Sequence, residues 1–202
     1  MKDGDKSDVV IMNFAMAFDK VSHKKLLLKL HTSGIIETTC AWTLSFLSDR
    51  TQRVVVDREF SDEGMVTSGV PQGSVHEPII FLVYIKHMPE YIQHSLVRLF
   101  AEDIIVYLTM KSVDHCEKLQ EDQRALEKWE IDGLMEFHPG KWSVMHIITR
   151  NKTVHWYCYT LHGQVLADES ETKYIVVTLN YSMTCNTHIE ETAAKTNKNL
   201  SY

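Results

Sequence analysis

Two neighbouring acids, Glu102 and Asp103, interrupt the otherwise apolar stretch VRLFAEDIIVYLT at residues 97–109. Adjacent carboxylates repel one another unless something positive sits between or beside them, and a divalent cation is the natural candidate. The plain alternative is a turn whose side chains both point to water, and for an arbitrary acidic pair that alternative prevails. What decides is the company the pair keeps. Lys20, Lys24, Lys25 and Lys29 cluster around one predicted helix, where they either meet phosphates or solvate one face; a lone cluster reads as the solvated face. The 11 histidines never come closer than seven residues, as in His87 to His94 and His155 to His162. That misses the roughly three-to-five-residue spacing of paired metal ligands, so they read as scattered surface or turn positions. The cysteines, at 40, 116, 158 and 185, never approach a CxxC spacing and read as buried thiols in a reducing compartment. Gly140 and Lys141 form no phosphate-binding loop, because Gly133 lies too far upstream and Trp142 replaces the required Ser or Thr.

Such groups need elements to hold them. Asp8 to Phe14, DVVIMNF, has the length and apolar content of a buried strand, and the polar exit at Asp19 and Ser22 marks a helix start. Leu26, Leu27 and Leu30 stripe a helix from His23 to His31 with Gly34 as its stop. Thr38 or Thr39 is expected to cap a second helix carrying Ala41, Trp42, Leu44 and Leu47. Gln52 to Val56 and Met65 to Val70 read as a hairpin around the charged turn DREFSDEG. VPQGS, at 70–74, breaks the pattern before an apolar helix from Ile79 to Met88. Residues 97–109 read as a second hairpin with Glu102 and Asp103 at its tip. Ser112 is expected to cap an amphipathic helix through Trp129, with Val113, Cys116, Leu119 and Leu126 inward and Gly133 beyond its end. Further strands are expected at Val144 to Thr149, His155 to Leu161 with a turn at His162 and Gly163, and Lys173 to Leu179, then a helix from Thr187 to Lys198. No linker or repeat interrupts the chain, which reads as one compact unit.

Composition narrows the classes. A chain of 202 residues with 44% hydrophobic and 24% charged residues is sized and balanced to fold, which excludes intrinsic disorder and collagen-like architecture. Only 8 Gly and 4 Pro favour helices with short connections over a loop-rich sandwich. The formal charge of −6 has the wrong sign for a free-standing nucleic-acid binder, so any such role must rest on a local groove. The longest apolar run, Ile79 to Ile85, is far short of the roughly 18 residues of a membrane span, and MKDGDKSD is too acidic for a signal peptide. The expectation is an intracellular protein, in cytoplasm or nucleus, with no membrane partner.

Several blocks in one order then carry a resemblance. NFAMAFDKVSHKKLLLKL (13–30), SFLSDRTQRVVVD (45–57), TSGVPQGS (67–74) and LFAEDIIVYL (99–108), followed by LEKWE (126–130), FHPGK (137–141) and TKYIVVTL (172–179), resemble the reverse transcriptase of jockey-like non-LTR (LINE-type) retrotransposons. The resemblance implies an α+β fold: the palm of a right-hand polymerase, with an antiparallel sheet and packed helices, part of the fingers and the start of a thumb. It implies a palm- and fingers-like domain over 1–186 and a truncated thumb from 187 to 202. The family's activity is RNA-directed DNA polymerisation, a nucleotidyl transfer in which two Mg²⁺ ions clamp the attacking 3′-oxygen, the α-phosphate and the leaving pyrophosphate. Its partners are an RNA template, a DNA primer and a deoxynucleoside triphosphate.

Residue by residue, this chain departs from that pattern. The family's first acidic motif opens on Asp, and here the position is Asn13, which keeps an oxygen but loses the charge and adds an NH₂ that a cation repels. Asp19, at the motif's end, matches a structural position. The second motif, Phe-Ala-Asp-Asp, stands as Phe100, Ala101, Glu102, Asp103. Glu102 is one methylene longer than Asp, moving its carboxylate by roughly the 1.5 Å of a C–C bond. A misplacement of about 1 Å can cost around 10²-fold in rate. By resemblance Glu102 and Asp103 are the remaining metal ligands, and Asn13, Glu102, Asp103 and Lys141 the catalytic positions. Lys141 aligns with a lysine that neutralises or protonates the leaving pyrophosphate; a surface lysine after a Pro-Gly turn is an equal alternative. Ala17 and Phe18 match the positions under the incoming sugar, where the Phe18 ring would collide with a 2′-hydroxyl; core packing is the plain alternative. Gln72 and Gly73 match the loop touching the nascent base pair and template. Downstream, His76 and Glu77 replace the family's Leu-Gly, bringing a carboxylate toward phosphates, and Val176 replaces a Gly in the hairpin that grips the primer. The resemblance therefore implies a reverse transcriptase domain with a degenerate, impaired active site. The rival is a non-catalytic module that holds RNA or RNA–DNA hybrid, or an interaction scaffold.

Overall fold

The computed structural model describes residues 6–148, 157–175, 177–184 and 186–200. In chain order the first elements are β1 (Lys6–Asn13), α1 (His23–Thr32), α2 (Glu37–Leu47), β2 (Thr51–Gln52), β3 (Val55–Val56), β4 (Glu59–Phe60), β5 (Gly64–Met65) and α3 (Glu77–Ile85). There follow β6 (Leu96–Phe100), β7 (Asp103–Met110), α4 (Val113–Gly133) and β8 (Ser143–Ile148). The last are β9 (Thr160–Leu161), β10 (Gln164–Val165), β11 (Ala167–Asp168), β12 (Glu171–Tyr174), β13 (Val177–Asn180) and α5 (Asn186–Leu200). Where the sequence reads as one compact unit, the chain divides into two. One comprises Met1–Phe14, Pro89–Trp129 and Phe137–Tyr202, and the other Ala15–Met88 and Glu130–Glu136. The chain passes between them at four points without a Gly/Pro-rich or charged linker at any of them, so composition carries no mark of the division.

The first unit is built on a five-stranded sheet in the order β11-β8-β1-β7-β6, antiparallel except for the β11–β8 pair. β1 is central, which explains its near-continuous burial: a strand paired on both edges and covered on both faces reads as an unbroken apolar run. On one face Val9, Ile11, Ile105, Met145 and Ile147 form a closed cluster, flanked by Tyr107, Tyr174 and Leu179. Each aliphatic side chain buried there contributes roughly 1.5–3 kcal/mol relative to exposure. Phe14 stacks on Phe137 at 5.3 Å, with Trp129 tilted against it at 5.6 Å, closing the far end of β1. A buried polar network centred on Asp8 interrupts this core. Asp8 is fully buried and accepts Nδ1–H of His146 at 2.7 Å and the Tyr159 hydroxyl at 2.6 Å, with the Lys6 ammonium 3.4 Å away.

Polar side chains of α4 serve as backbone partners for loops. Asp122 accepts the N–H groups of Gln93, His94 and Ser95, and the Gln120 amide brackets Thr160, donating to its carbonyl and accepting its N–H at 2.8 Å each. α4 overruns its expected end: Gly133 is its last residue, and the left-handed turn that follows falls on Leu134 at φ 53°. Val113, expected to face inward, is 54% exposed. The stretch read from its pattern as one strand from Lys173 to Leu179 is a hairpin, β12–β13, turning at Ile175 with φ 48°, as the resemblance implies. β9 and β10 pair around His162 and Gly163, as the sequence suggests; Thr149 and His155 lie outside the described residues. Of the cysteines, Cys116 is buried, Cys40 half-buried and Cys158 exposed, so the reading of uniformly buried thiols is corrected; Cys185 lies outside the described residues.

In the second unit the Ser22 hydroxyl caps α1 by accepting the Lys25 N–H, and Gly34 follows its end at φ 75°. The N-cap of α2 is Ile36, two or three residues before the expected Thr38 or Thr39, and makes no side-chain capping bond. Residues 51–65 form nested hairpins, β2 with β5 and β3 with β4, so Glu59 and Phe60 are strand rather than turn. Of the lysines on and before α1, Lys24 is exposed, as a solvated face requires, while the other three are engaged. Lys20 pairs with Glu136, Lys25 donates to the Asp132 carbonyl, and Lys29 donates to the Tyr84 carbonyl while lying 4.4 Å over its ring. Burial, with the Lys25 charge beside it, pulls the Lys29 pKa down to about 8.

Candidate active-site cleft

β1 and β7 run antiparallel in a register that sets Asn13 directly opposite Asp103, at the same end of both strands. The Asn13 side-chain NH₂ donates to Asp103 Oδ1 at 2.8 Å. The backbone fixes both ends of this contact: the Asn13 carbonyl accepts the His138 N–H at 2.7 Å, and the Phe14 N–H donates to the Glu102 carbonyl at 3.3 Å. Asn13 and Asp103 share a cleft of about 650 Å³ with Lys141, which follows the tight turn Pro139–Gly140; His138 Nδ1 accepts the Gly140 N–H there. Thr172, Lys173 and Glu169 line the same cleft. Sequence reading missed these three. Thr172 and Lys173 open the block TKYIVVTL without having been given a role, and Glu169 lies just before it.

Glu102 is not on the cleft wall among the described residues. It sits in the β6–β7 turn after Ala101, which adopts φ 48°, while Asp103 is the first residue of β7. The acidic pair is thus split by the hairpin: one acid at the turn, the other in the ladder. Tyr174, flanking the cluster beneath, has its hydroxyl pKa raised by burial and by the Asp103 charge, with Arg98 opposing.

This geometry sits in a chain whose residues 2–179 match the family model described as "Reverse transcriptase (RNA-dependent DNA polymerase)". The chain belongs to the reverse transcriptase family. Among its relatives is the RNA-directed DNA polymerase from mobile element jockey of Drosophila melanogaster, 27% identical over 186 residues, covering 88% of this chain and 20% of that protein. The jockey counterpart of Drosophila funebris is 29% identical over 189 residues, covering 88% and 20%. The probable RNA-directed DNA polymerase from transposon BS of Drosophila melanogaster is 24% identical over 207 residues, covering 96% and 22%. The chain therefore spans about one fifth of the length of the curated relatives it matches. Among solved structures, apo telomerase from Candida tropicalis, truncated from its C-terminal domain, superposes with a TM-score of 0.55 at 13% identity. It covers 90% of this chain and 35% of that one, a likeness of fold. The resemblance to non-LTR retrotransposon reverse transcriptases and the mixed helix and strand fold both stand.

Reverse transcriptases generally use divalent metals, and the residues of this cleft can be tested for fit. A clamp for two ions draws carboxylates from separate strands. Here the strand facing Asp103 offers an amide, whose NH₂ already occupies Asp103 Oδ1. Among the described residues no three His, Cys, Asp or Glu side chains come together as a metal set. Lys141 and Lys173 balance Asp103 and Glu169 around the cleft, leaving no net negative charge to draw a cation. The residues present do not fit a pair of magnesium ions.

Ala17, Phe18, Gln72 and Gly73 lie in the second unit. Ala17 is buried, and the half-buried Phe18 packs on Phe81 at 4.8 Å, so core contact anchors its ring. The segment 68–72 is fastened to the turn after Phe18. Val70 N–H donates to the Phe18 carbonyl, Ser68 Oγ to the Asp19 carbonyl, and Gln72 Nε2 reaches Asp19 Oδ1 at 3.4 Å. Gly69, at φ 84°, lies so close that a Cβ would meet Asp19 Cα at 2.8 Å. His23 Nε2 and Arg50 Nη2 both donate to its carbonyl, at 2.8 and 3.1 Å. Gly73 takes φ 79°, a backbone conformation that favours glycine, with no protein atom within 4 Å of where a Cβ would stand. The Gly73 N–H is taken by the Glu77 carboxylate, which thereby occupies a donor suited to phosphate. Val176 lies outside the described residues. No helix among the described residues is long and apolar enough to cross a membrane.

Proposed function

We propose that this chain is the palm and fingers core of a non-LTR retrotransposon reverse transcriptase in which nucleotidyl transfer has been lost. On this reading the sheet unit corresponds to the palm, the α1–α3 unit to part of the fingers, residues 1–186 to one functional domain, and 187–202 to the start of a thumb, of which the described part, 187–200, belongs to α5. The ancestral reaction is attack of a DNA primer 3′-hydroxyl on the α-phosphate of a deoxynucleoside triphosphate, directed by an RNA template, with pyrophosphate leaving. The observation that carries the loss is the Asn13 amide donating to Asp103 Oδ1 at 2.8 Å, where the family sequence places an aspartate. Glu102, away from the cleft wall, supplies no replacement.

The remaining parts fit substrate contact without chemistry. Lys141 and Lys173 give the cleft two cations suited to phosphate, Phe18 is half-buried, and Gln72 and Gly73 belong to a loop fixed to the Phe18 segment. The polar cleft favours a second reading, retention of RNA or RNA–DNA hybrid binding, and a filter-binding salt titration tests it: affinity should fall steeply with salt, as expected where Lys contacts phosphate.

The deciding experiment for the main reading is primer extension on poly(rA)/oligo(dT), in magnesium and in manganese, comparing the chain with the double variant Asn13→Asp, Glu102→Asp. The expected result is turnover at least about 10²-fold higher in the double variant. Equal turnover in the two chains overturns the assignment of the loss to these positions.

A further inference from the structure

Directly opposed cross-strand positions bring like charges into contact, and two aspartates at the Asn13 and Asp103 positions would repel unless a cation lay between them. This chain removes that need. The Asn13 NH₂ presents positive hydrogen to the carboxylate at 2.8 Å, and the flanking backbone bonds, Asn13 carbonyl to His138 N–H and Phe14 N–H to Glu102 carbonyl, hold the two strand ends around it. Lys141 and Lys173 supply the remaining positive charge of the cleft.

We infer that the Asn13–Asp103 hydrogen bond is an internal replacement for a divalent cation: an amide–carboxylate clasp that makes the sheet end indifferent to metal, and that Asn13→Asp alone would convert into a cation-dependent one. The inference rests on the family reading above for the class of ion replaced. It concerns stability rather than turnover, so it and the loss of polymerisation can fail separately.

Thermal melting of the full chain in EDTA, magnesium or calcium at matched ionic strength tests it. The wild-type melting temperature should be the same in all three. Asn13→Asp should melt about 2–4 °C lower in EDTA, the shift that roughly 1 kcal/mol gives a chain of this size, and recover in magnesium or calcium. The exchanged pair, Asn13→Asp with Asp103→Asn, keeps one amide and one carboxylate; it should melt like wild type and ignore the cations. Asn13→Ala should melt lower in every buffer with no recovery. A wild-type chain stabilised by magnesium, an Asn13→Asp chain blind to it, or an exchanged pair that melts no higher than Asn13→Asp would each overturn the clasp. Should Asn13→Asp fail to fold without metal, the wild type and the exchanged pair still decide the matter.

Discussion

Two aspartates of one sheet, Asp8 and Asp103, are treated in opposite ways. Asp8 has no contact with solvent, and both its oxygens are engaged, Oδ1 by His146 with Lys6 nearby and Oδ2 by Tyr159. Asp103 is half-buried on a cleft wall and receives the single amide of Asn13. The contrast follows from solvation. A carboxylate taken out of water must find its hydrogen-bond donors within the protein or lose several kcal/mol, whereas one at an open wall leaves part of that task to water. Burial raises the Asp8 pKa, but the bonds from His146 and Tyr159, with the charges of His146 and Lys6, outweigh it and hold the carboxyl below its ordinary range. Tyr159 is pushed far upward by burial and by the Asp8 charge. The acid that secures the sheet is therefore not the acid that faces the cleft.

The largest break in this contrast is Asp8→Ala, which leaves His146, Tyr159 and Lys6 facing an empty site. A loss of about 3–5 kcal/mol is expected in urea denaturation, the scale for removing one partner of a buried charged network. Tyr159→Phe deletes one donor to a charged acceptor and should cost about 1.5–3 kcal/mol, visible as a lower urea midpoint at unchanged slope. A Tyr159→Phe chain as stable as wild type would mean that Oδ2 finds another donor.

Acid sharpens the comparison further. Because the folded Asp8 pKa lies below its unfolded value, the folded chain binds fewer protons there; the contribution is complete above the ordinary carboxylate range and disappears as pH falls through the depressed folded value. Melting temperature should therefore drop below about pH 4 more steeply for wild type than for Asp8→Asn. Parallel pH profiles would show that other carboxylates dominate acid unfolding.

How much of this was legible in the sequence depends on the range of the interaction concerned. β1, α1 and the β6–β7 hairpin follow from local patterns, DVVIMNF, the Leu26, Leu27 and Leu30 stripe and the apolar runs around Glu102 and Asp103, and each stands close to its expected place. The turn at Ile175 has no mark in the local pattern, because a β-branched residue at φ 48° is the last side chain one would choose for it, and only the resemblance implies a hairpin there. The end of α4 was misjudged for the converse reason: Gly133 advertises a stop, yet Leu134 takes the left-handed position. Lys20 and Lys25 look solvated because their acceptors, Glu136 and Asp132, lie more than a hundred residues downstream, and the same distance hides the pairing of Asp8 with His146. In the site, motif order pointed to Asn13 and Asp103 as partners across the sheet, whereas the presence of Lys173 and Glu169 in the cleft required the β8–β11 and β12–β13 arrangement to be known.

The smallest expected effect is the one that isolates the cleft acid. Asp103→Ala removes one hydrogen bond at a half-exposed position, and the Asn13 amide it frees can turn to water rather than remain unpaired. About 1 kcal/mol or less should be lost, against the several expected at Asp8, and the change should add to that of Tyr159→Phe because the two sites share no partner. The cycle formed with Asn13→Ala gives the coupling itself, since the double variant should cost no more than either single change once the contact between them is gone. If Asp103→Ala proved as damaging as Asp8→Ala, the cleft wall would be part of the structural core, and the separation of a fold-securing acid from a ligand-facing one would not hold.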